Sequence, residues 1–210
     1  MSRIALSLAT LLAFAVAGCN QPAPGAGTAA APAPQAIAPA PVPPPAPKPA
    51  APKPAPIAKV EPGTRLVANG GFEDWKNDGP DRWQLTAGSL VGKSSPANQG
   101  KISLSLKPAK EGYSLVQQQL RAIPAGTKMQ VHCLASAPHV GAFALKLSYR
   151  VAGKQESVSN IYEKYGAWSS VGFEFVAPAN ADPKSYVVQL LRSQDVKGDV
   201  LVDAVSIITQ

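Results

Sequence analysis

Short runs in which apolar and polar residues alternate recur through the last 148 residues of the chain. KISLSLK, residues 101–107, puts Ile102, Leu104 and Leu106 on one face and Ser103 and Ser105 on the other. AFALKLSY groups Phe143, Leu145 and Leu147 in the same way, and VGFEFVAP turns Val171, Phe173 and Phe175 inward with Glu174 outward. A period of two marks a half-buried β-strand, because successive side chains leave a strand on opposite faces. YVVQLLRS and VLVDAVSIIT carry longer apolar stretches, as strands covered on both faces do. Pro-Ala-Gly at 124–126, Ala-Gly-Lys at 152–154 and Val-Lys-Gly at 196–198 supply turns between such runs. No long stretch keeps a helical period. The pattern predicts nine or ten short strands in residues 63–210, an all-β sandwich in one domain.

The first 62 residues follow other rules. Residues 20–62 hold fifteen of the twenty-two prolines and fourteen alanines. Proline fixes φ and donates no backbone hydrogen bond, so PVPPPAPKPAAPKPAP favours extended polyproline II. Such a segment buries too little apolar surface to fold, and a disordered Ala/Pro-rich spacer is expected. Fully stretched at about 3.1 Å per residue, it would reach roughly 130 Å. Gly25-Ala26-Gly27-Thr28-Ala29-Ala30 matches a dinucleotide-binding fingerprint, but no strand precedes it and a proline tract follows.

Ahead of the spacer, one positive residue, Arg3, precedes an apolar run from Ile4 to Ala17 and then Gly18-Cys19. That run is shorter than the ~20 residues a membrane span needs. Val16-Ala17-Gly18-Cys19 resembles the lipobox of bacterial lipoproteins. The resemblance implies a signal peptide over 1–18, lipidation of Cys19 and tethering to membrane by acyl chains. Asn20, where aspartate would imply inner-membrane retention, points to the outer membrane facing the periplasm. With Cys19 lipidated, Cys133 has no disulfide partner and reads as a small buried apolar residue. The net charge of +7 falls to +4 over residues 63–210, with sixteen basic and twelve acidic residues and no basic run. Nucleic-acid binding therefore gains no support.

Landmarks of the globular part recur in a familiar order. LVANGGFE, read as an opening strand, is followed by Gly79-Pro80-Asp81-Arg82-Trp83 and by a Gly-Lys-x-Ser-Leu strand at 100–104. SLVQQQLRAIPAGTKMQVHCLASA, Trp168 before an FEF strand, and a closing VLVDAVSI complete the series. The order resembles carbohydrate-binding modules of the galactose-binding-like jelly-roll group, the type attached to xylanases and cellulases. The resemblance covers nearly all of 65–209 and implies a jelly-roll β-sandwich for the domain over 63–210, which follows the segment 19–62 of Cys19 and the linker. It also implies a calcium ion held by Glu73 and Asp203, with backbone carbonyls near Lys101 completing the shell. Calcium is a hard cation that takes six to eight oxygens, so the chemistry is reasonable. The alternative is a carboxylate capping a turn or paired with a lysine. Asp74 is assigned to solvent.

An enzyme is not expected. Glu73 and Asp74 are adjacent and point to opposite faces of a strand, whereas glycosidase carboxylates face each other about 5 to 9.5 Å apart. His132 and His139 lack an evident Ser/Asp frame. A sugar site would need aromatic faces and amide donors. Trp83 and Trp168 are read as core, which leaves Trp75, Tyr113, Tyr149, Tyr162 and Tyr165 as candidate ring platforms, Tyr162 and Tyr165 as the pair to flank a groove, and Gln117 and Gln119, on one face of their strand, as donors. The sequence therefore supports a lipid-anchored, non-catalytic envelope protein that binds cell-wall or surface polysaccharide. The alternative is a structural lipoprotein that uses the sandwich for contact with a protein partner.

Overall fold

The computed structural model describes residues 60–95, 97–109, 112–194 and 197–210. Cys19, the expected signal segment over 1–18 and nearly all of the Pro/Ala-rich segment lie outside the described residues. In chain order the strands are β1 (Trp75–Lys76), β2 (Gly79–Pro80), β3 (Gln84–Leu85), β4 (Leu90–Ser94), β5 (Ser103–Lys107) and β6 (Ser114–Gln119). They continue with β7 (Lys128–Ser136), β8 (Phe143–Val151), β9 (Lys154–Ile161), β10 (Ser169–Val176), β11 (Val187–Arg192) and β12 (Val200–Thr209). Nine of these have five residues or more, as the alternation predicts.

Two antiparallel five-stranded sheets form the sandwich, ordered β10-β7-β12-β5-β4 and β3-β6-β11-β8-β9. The fold is a jelly-roll β-sandwich. Its core is the meeting of the two inner faces. From the first sheet come Leu104, Leu106, Val131, Cys133, Val202 and Ile207, and from the second Val116, Leu145, Leu147, Val188 and Leu190, all with no exposed surface. Each such aliphatic side chain contributes about 1.5–3 kcal/mol on burial. Val171 is buried, Phe173 and Phe175 pack against the core, and Glu174 is exposed.

Two strands differ from the simple pattern. Ser103 and Ser105 of β5 are buried along with Leu104 and Leu106, because β5 is an inner strand of its sheet and is covered on both faces. The Ser105 hydroxyl donates to Asp199 Oδ2 at 2.6 Å, which satisfies it. LVANGGFE is not a regular strand: Asn69 and Phe72 have positive φ, 48° and 55°, outside the β region. Instead residues 63–66, at the start of the globular part, pair with β12. Leu66 N donates to Ile207 O, Thr209 N to Thr64 O and Gly63 N to Thr209 O.

That pairing meets a bulge in β12 between Asp203 and Ser206, where Ala204 has φ of 51°. A bulge releases N–H groups from the ladder. Asp203 Oδ1 accepts the N–H of Ala204 at 2.7 Å, and Gly70 O accepts that of Val205 at 2.9 Å. Gly70 passes so close to the bulge that a Cβ there would collide with the Val205 carbonyl oxygen. The first glycine of NGGFEDW is thus a packing requirement of β12.

Candidate functional site

The rest of NGGFEDW is equally specific. The Asn69 side chain donates to Asp74 O at 2.7 Å and Asp81 O at 2.9 Å, fixing the loop in shape. Phe72 is fully buried, with its ring 5.3 Å from that of Trp83. Trp83 is core, as read from sequence. Glu73 reaches across to the loop before β5, where its Oε1 accepts the N–H groups of Lys101 at 2.7 Å and Ile102 at 3.1 Å. Those two backbone donors hold the Glu73 carboxyl below its ordinary pKa. Asp203 grips the same loop from β12: its Oδ2 accepts Gln99 N–H at 2.7 Å, and its side chain is wholly buried. The two acids paired by sequence therefore do converge, on residues 99–102. What they hold is backbone N–H, and Lys101 faces Glu73 through its amide. Asp74 is exposed.

An open cleft lies on the outer face of the β3-β6-β11-β8-β9 sheet. It is a cleft of about 490 Å³, floored by β6, β11 and β8 and closed at one end by the connection that carries Asp182, Lys184 and Ser185. Register places Gln117 opposite Gln189, and Val187 opposite both Gln119 and Ser148. Ser148 Oγ bonds to Gln189 Oε1 at 2.9 Å, and Gln189 Nε2 donates to Gln117 Oε1 at 3.1 Å. One hydrogen-bonded chain thus spans three strands. Gln119 Nε2 donates to Lys184 O at 2.8 Å and Tyr186 O at 2.9 Å, which ties β6 to the end wall. Gln118, on the other face, is buried and bonds to both backbone groups of Ala68.

The sequence-predicted ligand residues do not gather here. Gln117 and Gln119 line the cleft. Tyr162 is a correction: it has no exposed surface, and its hydroxyl donates to Ala167 O of the following loop at 2.6 Å. A ring with no exposed surface cannot stack on a sugar. Tyr165, in the loop following β9, is 73% exposed, with its ring 5.9 Å from that of His139 in the loop following β7. Trp75 is half-buried, donates from Nε1 to Phe72 O at 2.6 Å and carries Lys93 Nζ 5.4 Å above its ring. Trp168, expected in the core, is half-buried and stands outside the core cluster. Cys133 is fully buried, as expected, and burial pushes its thiol pKa up. His132 is half-buried, which lowers its pKa by desolvation.

Sequence reasoning missed Ser148, Gln189, Arg150 and Lys184. Strand parity could have put Ser148 and Arg150 on one face, but only the three-strand register brings them to Gln117. Tyr149 also lines the cleft, but it falls between them in sequence and so turns its ring the other way. Its ring stacks on that of Tyr186 at 5.6 Å and packs against the core. The cleft therefore has an amide and hydroxyl floor without an aromatic plate. Among the described residues no group of three or more His, Cys, Asp and Glu side chains is placed to hold a metal ion.

No family model matches the sequence, and no curated protein matches it. Solved structures share the architecture. A family 16 carbohydrate-binding module is 19% identical, with a TM-score of 0.55, over 68% of this chain and 99% of that one. The CBM22-1 xylan-binding domain of Paenibacillus barcinonensis Xyn10C is 17% identical, with a TM-score of 0.55, over 73% and 97%. The enzymatically active domain of tailspike protein 4 of bacteriophage CBA120 is 14% identical, with a TM-score of 0.56, over 70% of this chain, and the match spans only 21% of that chain. At these identities the likeness is one of fold.

Proposed function

We propose that this protein binds a glycan, without catalysis, on the outer face of the β3-β6-β11-β8-β9 sheet. The observation that carries the reading is the Gln117–Gln189–Ser148 chain on the floor of an open cleft. Amides and hydroxyls both donate and accept, as sugar hydroxyls do, and a floor whose side chains already hold one another is pre-arranged for them. Two of the structural neighbours are themselves carbohydrate-binding modules, one of them xylan-binding. The non-catalytic part rests on the acids. Asp182 is the one carboxylate lining the cleft, and its Oδ1 accepts the Lys184 N–H at 3.0 Å. Glycoside hydrolysis generally needs two facing carboxylates.

The lipobox-like Cys19 supports anchoring in the bacterial envelope, with the proline-rich spacer holding the sandwich away from the membrane. Calcium at Glu73 and Asp203 belongs to the same proposal. The donor set fits in part: two carboxylates reach one loop, and Glu73 Oε2 has no hydrogen bond among the described residues. Backbone carbonyls would have to supply most of the six to eight oxygens. The ion would lend charge that ties the NGGFEDW loop to β12.

The test is retention of the purified full chain on insoluble polysaccharides, peptidoglycan included. Saturable retention that is lost in Gln117→Ala/Gln189→Ala supports the reading. Retention on none of them refutes it. A second reading, contact with an envelope protein, draws on exposed Val140, Ile161 and Tyr165, on the loop before β8 and on the end of β9 with its following loop, joined by the Gly141 N to Tyr162 O bond.

A further inference from the structure

The charges around the cleft are one-sided. Arg150, at the end of β8, and Lys184, in the end wall, both line it and are exposed. Lys146 of β8 stands directly opposite Gln189 on the same face. None of the three forms an ion pair among the described residues, where both salt bridges centre on Asp81. Asp182, the one acid lining the cleft, is turned into its own loop: Oδ1 accepts Lys184 N–H, and its N–H donates to Arg150 O at 2.8 Å. On β9 the same face presents Gln155, Ser157 and Ser159, while Glu156 pairs with Tyr149 and shares the opposite face. Three cations therefore border an amide floor with one half-committed carboxylate among them.

The floor also lacks what a neutral sugar chain relies on. Stacking on an aromatic face contributes to holding a pyranose ring, and the one aromatic that lines the cleft, Tyr149, has its ring stacked on Tyr186 and packed against the core. Charge-assisted hydrogen bonds are roughly twice as strong as neutral ones, and arginine's planar fork matches an oxyanion. We infer that the glycan taken by this cleft is acidic, its anionic groups lying against Arg150 and Lys184 while its hydroxyls meet Gln117, Gln189 and Ser148. This rests on the glycan reading of the same cleft. The shared chemistry is an oxyanion on a sugar chain, either a uronate carboxylate or a phosphate ester.

Equilibrium binding of the full chain to four probes tests it: polygalacturonate oligomers, phosphomannan oligomers, neutral xylan oligomers of equal length, and polyglutamate. The expected result is affinity at least about tenfold higher for one acidic glycan than for the neutral one, falling as salt is raised. Arg150→Gln/Lys184→Gln should abolish that preference at an unchanged melting temperature, since neither side chain makes a hydrogen bond among the described residues. Preference for polygalacturonate assigns the carboxylate, and preference for phosphomannan the phosphate. Neutral oligomers bound as tightly, or a preference that survives the double substitution, overturn the acidic inference and leave the glycan reading standing. Polyglutamate bound as tightly as the acidic sugars overturns it as mere charge attraction. Binding of no probe overturns the acidic inference, while the glycan reading falls only if retention on the insoluble polysaccharides fails as well.

Discussion

The carboxylate of Glu73 occupies the space beside Gly100 that any side chain at that position would need. Gly100 also has φ of 70°, in the left-handed region, so the two residues are mutually required: one leaves room and the other fills it. Gly100→Ala is expected to destabilise the domain by about 1–2 kcal/mol through backbone strain, and further by displacing Glu73. Chemical denaturation of both proteins at neutral pH measures this, and an unchanged midpoint would refute it.

Glu73 also gives the fold a dependence on acid. Its folded pKa lies below the ordinary 4.5, held there by the N–H groups of Lys101 and Ile102. A depressed folded pKa contributes stability that is fully present above the unfolded value and is lost as pH falls through the folded one. The gap in stability between wild type and Glu73→Gln should therefore be widest above pH 4.5 and close on further acidification. A gap that is constant with pH would show that the carboxylate charge is not what binds the loop.

Asp203 is the sterner partner, being buried with both oxygens accepting backbone N–H groups. In Asp203→Asn one amide NH2 must face an N–H donor, and an unsatisfied buried donor costs about 1–3 kcal/mol. If calcium occupies this place, the melting temperature of the wild type rises with added calcium and falls with chelator, and that response disappears in Asp203→Asn. A wild-type melting temperature indifferent to both would leave the two acids as a metal-free clamp.

How far the sequence revealed this molecule depended on distance along the chain. The facing of Phe143, Leu145 and Leu147, and the split of Gln117 and Gln119 from Gln118, follow from strand parity and needed no tertiary information. The join of Gln117 to Gln189 does not, because register across some seventy residues is set by which faces pack. Local signals also misled where the backbone leaves its usual regions. LVANGGFE reads as a strand until Asn69 and Phe72 take positive φ, which allows Phe72 to enter the core and Glu73 to turn to residues 101–102. Tyr162 reads as a loop aromatic in a polar stretch, and only the folded chain supplies the Ala167 carbonyl that lets its hydroxyl be buried.

Gln118 offers a test of how the NGGFEDW loop is docked. Its Oε1 accepts Ala68 N–H at 2.8 Å, and its Nε2 donates to Ala68 O at 2.9 Å and Arg82 O at 3.2 Å. Gln118→Leu keeps the volume roughly and removes all three bonds. A loss of about 1–3 kcal/mol is expected, with faster amide exchange concentrated at residues 68–75. Uniform protection with unchanged stability would mean that Gly70 packing on β12 alone seats the loop.

Tyr162 separates a structural ring from a binding one. Tyr162→Phe removes only the hydroxyl that bonds Ala167 O. Since Ala167 is exposed, water can take over that carbonyl, and the loss should be about 1 kcal/mol, a fall of a few degrees in melting temperature. Tyr162→Ala opens the core and should cost about 3–5 kcal/mol. Neither should alter glycan affinity at temperatures where the protein remains folded, because the ring has no exposed surface and the cleft lies on the outer face of the sheet, lined by other residues. Retention on a bound polysaccharide, measured beside the Gln117→Ala/Gln189→Ala variant, checks this directly. Loss of retention in folded Tyr162→Phe would return Tyr162 to the binding site and require the loop after β9 to open.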